Sequence, residues 1–155
     1  MLSPDYEDLF STLNAFKIKY LVVGAHAVIF YTQPRFTKDM DVWIPAALND
    51  PQRVYDALKA YGAPLAGVAP KDFQDPGMML QIGVAPVRVD ILVGLSSVSV
   101  QAAWKHRMRS RYGKAVINMI GKAELIQAKK AAGRPQDRLD LDKLEKLAKP
   151  RKRSI

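Results

Sequence analysis

The sequence predicts an α+β (mixed α/β) fold, a small mixed sheet with flanking helices and a helical C-terminal section. Short β-rich runs such as "KYLVVG" and "DMDVWIP" alternate with stretches of helical spacing. Gly and Pro stand where those helices start and stop. The chain has 155 residues and 48% hydrophobic composition, which suits one compact core.

In chain order, Ser3 or Asp5 can cap a first helix, along which Leu9, Leu13 and Phe16 recur at helical spacing. "KYLVVG" reads as a strand ending at Gly24, and "AHAVIFYTQ" as a helix stopping before Pro34. "DMDVWIP" is the next strand. "DPQRVYDALKAYG" has Asp50 as cap, Pro51 at the first helical position and Gly62 after the end. Residues 63–77 are rich in Pro, Gly and Asp and read as a long loop. "MMLQIG" and "VRVDILVG" form a hairpin candidate. "SVQAAWKHRM" reads as a helix, "KAVINMIG" as a last short strand, and "KAELIQAKKAAG" as a helix closed by Gly133. Pro135 starts a final helix. This order places helices on one side of the sheet. It divides the chain into a core over 1–104, a helical section over 105–148 packed on it, and a basic tail over 149–155.

The chain contains no cysteine, which excludes disulfides and thiolate metal sites and is compatible with the cytoplasm. No apolar run is long enough to span a membrane. The acidic N-terminus lacks the basic n-region of a secretory signal. The formal net charge of +9 and pI of about 9.8 favour polyanions: nucleic acid, nucleotide phosphates or an acidic protein.

The chemistry concentrates in "RFTKDMDVWI". Side chains alternate along a strand, so Asp39 and Asp41 share a face while Met40, Val42 and Ile44 point into the core. Two carboxylates so placed repel each other unless a cation compensates. Asp90, in "VRVDILV", is a further carboxylate in an apolar strand, with Arg88 on its face. If the two strands are neighbours, the three carboxylates form a cluster able to hold two divalent ions about 4 Å apart, the arrangement used in phosphoryl transfer. Mg²⁺ suits such hard oxygen ligands. The alternative is that these aspartates cap a turn or pair with Arg35, Lys38 or Arg88. Gly24, between a strand and a helix, lets backbone approach a phosphate, and the free N–H groups of the helix start favour anions.

At these residues the chain resembles the nucleotidyltransferase superfamily, whose pattern is a Gly-Gly or Gly-Ser turn, then D-x-D, then a third Asp on a later strand. More narrowly it looks like the AbiEii-type branch, the toxins of type IV toxin–antitoxin systems and their relatives. The segments are "VVGAHAV", "PRFTKDMDVWI", "IGVAPVRVDIL", "AAWKHR" and "AKKAAGRPQDRLDL". The resemblance implies a nucleotidyltransferase-like sheet and a metal-dependent nucleotidyltransferase using Mg²⁺ or Mn²⁺. Asp39, Asp41 and Asp90 would be metal ligands, with Asp90 as ligand or general base. Gly24 would sit by the nucleoside triphosphate, with Ala25 in the same turn. Lys129 would contact phosphate and Asp137 would orient it or the acceptor. The acceptor would be a tRNA or protein hydroxyl, and a cognate antitoxin a possible partner. Ala25 departs from the pattern, which often has Ser there. Alanine keeps the backbone donors and loses a hydroxyl, which leaves open a catalytically inactive module that binds a nucleotide or a partner.

Arg35 and Thr37 can touch triphosphate or lie in water. Arg88 binds phosphate or neutralises Asp90. His26 reaches a phosphate or packs a helix. His106, in the basic run "KHRMRSR", lies on a solvated face or an RNA-facing patch. Lys129, Lys130, Arg134, Asp137 and Asp140 read by themselves as an ion-pair face. Trp43 is a core or cleft wall.

Overall fold

The computed structural model describes residues 5–32, 37, 39–84 and 87–146. Asp5 caps α1 (Tyr6–Ala15): its side chain accepts from the Asp8 amide at 3.0 Å. Ser3 lies outside the described residues. β1 (Leu21–Val23) runs directly into α2 (Gly24–Tyr31). β2 (Asp39–Trp43) follows, and then α3 (Pro51–Tyr61), capped by Asp50 and closed by Gly62 in the left-handed region. The loop over 63–77 holds one 3-10 turn, Pro70–Gln74. β3 (Met79–Val84) and β4 (Val87–Leu92) form the expected antiparallel pair. α4 (Val100–Lys105), β5 (Met108–Tyr112), β6 (Ala115–Met119), α5 (Lys122–Ala132) and α6 (Pro135–Lys146) complete the chain.

The six strands lie in the order β3-β4-β2-β1-β6-β5. β1 pairs antiparallel with β2 and parallel with β6, and β2 pairs parallel with β4. The sheet is therefore mixed, as expected. Two features differ from the sequence reading. The helix read over "SVQAAWKHRM" ends before the basic run "KHRMRSR" is complete. α4 stops at Lys105, and Met108–Tyr112 form an edge strand held by β6. Its alternation is hidden because both of its sides are largely exposed. The segment 105–148 thus begins with two strands that extend the sheet, and its helices are α5 and α6. The tail over 149–155 lies outside the described residues.

Helices also cover both faces rather than one. α5 lies over the face that carries Val23, Asp41 and Asp90. α1 packs on the other face, where Tyr6 and Phe10 meet Tyr112 of β5 with ring centroids 5.7 and 6.1 Å apart. A sheet between two helical layers needs both of its faces apolar, and the buried positions of β1, β4 and β6 supply them. No helix among the described residues is long and apolar enough to cross a membrane.

α6 is anchored by Leu144, which is fully buried. Leu144→Ala should lower stability by about 2–5 kcal/mol, since the removed side chain leaves a cavity. Urea unfolding should show a lower midpoint with an unchanged slope.

Candidate functional site

β2 and β4 run side by side in register. Asp41 is the Cα partner of Asp90, and Asp39 is the partner of Arg88. On the other side, Asp41 is the partner of Val23, the residue before Gly24. Sheet pairing alone therefore brings Gly24, Asp39, Asp41, Arg88 and Asp90 together from segments far apart in sequence. Period-2 alternation puts the three carboxylates and Arg88 on one face.

Gly24 has φ +69°, a conformation that glycine adopts without penalty. A Cβ at this position would collide with the Asp41 carboxylate. The glycine is needed as much for Asp41 as for any ligand. The first amides of α2 have no side-chain cap.

The carboxylates are unevenly compensated. Arg88 Nη2 donates to Asp39 Oδ2 at 2.8 Å and to Asp90 Oδ2 at 3.3 Å. The other oxygens of these aspartates, Asp39 Oδ1 and Asp90 Oδ1, are buried without a hydrogen-bond partner among the described residues. Burial pushes the Asp41 carboxyl up to about 6, helped by Asp90 and Asp39 and opposed by Lys129 and Arg88. Burial likewise raises Asp90, against the pull of Arg88.

A cleft of about 260 Å³ opens on this face. One part of its lining is polar: Gly24, Asp41, Asp90, Lys129, Arg134 and Asp137. The rest is mainly apolar, with Met79, Leu92, Leu95 and Leu125. Lys129 Nζ is buried and lies 3.1 Å from both Asp137 Oδ1 and Asp140 Oδ2. Arg134 grips Asp137 with Nε at 2.7 Å and Nη2 at 3.2 Å. Burial would raise the Asp137 carboxyl, but hydrogen bonds from Arg134 and Lys129 outweigh it and hold it at about 2. Lys129 has three donors, and these two contacts leave one for the cleft.

Of the residues singled out in the sequence, Gly24, Asp41, Asp90, Lys129 and Asp137 line this cleft. Asp39 and Arg88 stand beside it, joined to Asp90. Ala25 is in the first turn of α2 and Thr37 lies two residues before β2; neither lines the cleft. Arg35 lies outside the described residues. Trp43 is core: it is buried and its indole N–H donates to the Val93 carbonyl at 3.3 Å. His26 packs edge-on against Tyr6 with centroids 6.1 Å apart, and burial lowers its pKa. His106 hydrogen-bonds Glu124 through Nδ1 at 3.0 Å and so ties the end of α4 to α5. Arg134, read from the sequence only as part of an ion-pair face, also lines the cleft, and sequence reasoning did not select the apolar wall. Arg134 had a signal, standing between the αL glycine Gly133 and Pro135. Met79 and Leu95 had none, because only the packing of β3 and the following loop brings them to the cleft.

Among the described residues, no three His, Asp or Glu side chains form a ready metal-ligand group. Arg88 holds one oxygen each of Asp39 and Asp90. The donor set still fits a divalent cation. It offers hard carboxylate oxygens, two of them buried and unpartnered, beside an under-compensated Asp41.

No family model matches the chain, and no curated protein matches its sequence. Solved structures do. The lincosamide antibiotic adenylyltransferase LnuA, bound to lincomycin, superposes with a TM-score of 0.52 at 18% identity. The match covers 93% of this chain and 98% of that one. A candidate nucleotidyltransferase from Thermotoga maritima gives a TM-score of 0.55 at 14% identity, over 94% and 96% of the two chains. At such identities the likeness establishes the fold, a mixed α+β nucleotidyltransferase fold.

Two measurements check this geometry. Gly24→Ala should destabilise the chain by at least ~1–2 kcal/mol, from the left-handed backbone alone, before the collision with Asp41 is added. Asp41→Asn should stabilise it at neutral pH. The folded-state pKa of Asp41 lies above its ordinary value, so its contribution is fully present below about pH 4 and is lost as pH rises through about 6. The variant should exceed wild type on the order of 1–2 kcal/mol at pH 7.5, allowing for screening in the open cleft, and match it near pH 4. Thermal unfolding across this range reads the difference. A gap that does not change with pH would refute the assignment.

Proposed function

We propose that this chain, which has the fold of nucleotidyltransferases, moves a nucleoside monophosphate from a nucleoside triphosphate to a hydroxyl acceptor, with Mg²⁺ or Mn²⁺. One observation carries this reading. Asp41 and Asp90 are register partners beside the Gly24 turn, and they face a cleft whose opposite wall bears Lys129 and Arg134. Acid on one side and base on the other is what a metal–triphosphate complex requires.

The residues divide the work. Asp39, Asp41 and Asp90 would hold the ion, which supplies positive charge against the phosphate oxygens. The Gly24 turn and the uncapped amides at the start of α2 receive the triphosphate, with Thr37 and Arg35 nearby in sequence. Lys129 and Arg134 meet the charge of the departing pyrophosphate. The acceptor oxygen forms a bond to the α-phosphorus as the bond to pyrophosphate breaks. Asp90, a ligand or the general base, takes the acceptor proton in the second of these roles. Asp137 orients Lys129 and Arg134 rather than touching substrate.

Three acceptor classes are consistent with this site. A tRNA or protein hydroxyl follows from the AbiEii-type resemblance, and the net charge of +9 is compatible with tRNA. The apolar wall of Met79, Leu92, Leu95 and Leu125, together with the likeness to lincomycin-bound LnuA, supports a small molecule with an apolar body. In the finer reading the chain is the toxin of a cytoplasmic toxin–antitoxin pair with a cognate antitoxin. Ala25, which lacks a hydroxyl, favours the alternative of a nucleotide-binding module without catalysis.

Incubation with each α-labelled nucleoside triphosphate and Mg²⁺, in the presence of tRNA, cell protein or small alcohols, tests the reading. Label should reach one acceptor class, and Asp41→Asn should reduce transfer about a hundredfold or more. Calorimetry should show nucleotide binding that weakens in the same variant. Equal nucleotide binding by both proteins, with no label transferred, would favour the non-catalytic module.

A further inference from the structure

We propose that Arg88 is a built-in counter-cation occupying the role of one of two divalent ions, so that this cleft binds a single ion per chain. The inference rests on the metal-dependent reading above and specifies its stoichiometry.

Charge sets the number of ions. Asp39, Asp41 and Asp90 share one face of β2 and β4, and Arg88 stands opposite Asp39 on that face. A guanidinium is a fixed positive charge in a protein. Three carboxylates and one guanidinium sum to −3 + 1 = −2, the charge that one divalent ion cancels. The other cations lining the cleft, Lys129 and Arg134, are matched in charge by Asp137 and Asp140. Lys129 is held by Asp137 and Asp140, and Arg134 by Asp137.

The supply of oxygens sets the same limit. Arg88 Nη2 sits between Asp39 Oδ2 and Asp90 Oδ2 and engages both. What remains is Asp39 Oδ1, Asp90 Oδ1 and the Asp41 carboxylate. The first two are buried with no partner among the described residues. These oxygens, with water and phosphate, can serve one hard ion. Two ions a few ångströms apart repel and need carboxylate oxygens between them. A second ion would have to take the oxygens that Arg88 holds.

Arg88 is therefore a positioning residue. It acts on the reaction through Asp39 and Asp90. Its backbone is fixed as well, since the Tyr6 hydroxyl donates to the Arg88 carbonyl at 3.2 Å.

The test is Mn²⁺ binding to the full chain without nucleotide, read by the loss of the free-ion paramagnetic resonance signal and by calorimetry. Wild type should bind one ion. Arg88→Gln, which removes the charge, should bind two, or bind its first about tenfold tighter. Arg88→Lys, which keeps the charge, should return to one. Two ions in wild type overturn the inference, and so does an Arg88→Gln protein with unchanged count and affinity. The wild-type count decides even if Arg88→Gln fails to fold. No Mn²⁺ bound by wild type overturns this inference and the metal-dependent reading together. Two ions with nucleotidyl transfer intact overturn this inference alone.

Discussion

Asp41 and Asp90 stand side by side on neighbouring parallel strands, Asp90 buried and Asp41 partly so, and like charges so placed oppose folding. Much of the surrounding structure answers this one repulsion. Arg88 bridges Asp39 and Asp90. Lys129, reaching in from α5, and Arg88 both lower the Asp41 pKa without returning it to the ordinary range. Gly24 surrenders its side-chain volume so that Asp41 has somewhere to lie. A fold that keeps such a pair is less stable at neutral pH than the same fold with an amide there. Sites that bind charged ligands commonly retain residual strain of this kind, because the ligand relieves it.

The second constraint lies across the cleft. Lys129, Asp137 and Asp140 are buried together, and buried ions are tolerated only when they are paired and hydrogen-bonded. The network joins α5 to α6 across the Gly133 turn. It also holds Lys129 and Arg134 at the cleft, so a structural ion cluster aims two cations at the carboxylate face. Removing one member would leave its partner charged and buried, which binds the positions of α5 and α6 to the charge pattern of the site.

Much of this was legible in the chain itself. The caps Asp5 and Asp50, the closing glycines Gly62 and Gly133, and Pro51 and Pro135 at helix starts are local signals, and the helices begin and end where they stand. Alternation put Asp39 and Asp41 on one face, and the register of β2 confirms it. β5 was not legible, because an edge strand with Arg109 and Arg111 on one side and Met108 and Tyr112 half exposed on the other lacks the contrast that alternation needs. The helical layer on the second face was hidden too, since periodicity marks which side of a helix is buried and not which face of the sheet buries it.

The sequence by itself determined the elements and the inventory of charges, because capping, periodicity and glycine conformation act over a few residues. Tertiary structure decided which charges meet. Asp90 neighbours Asp41 only because β4 pairs parallel with β2, and Lys129 reaches the cleft only because α5 crosses the sheet face. Arg88 read in isolation as a phosphate ligand or a neutraliser of Asp90. Strand register joined it to Asp39 as well, since a contact between strands depends on alignment, and no spacing along one chain segment encodes that.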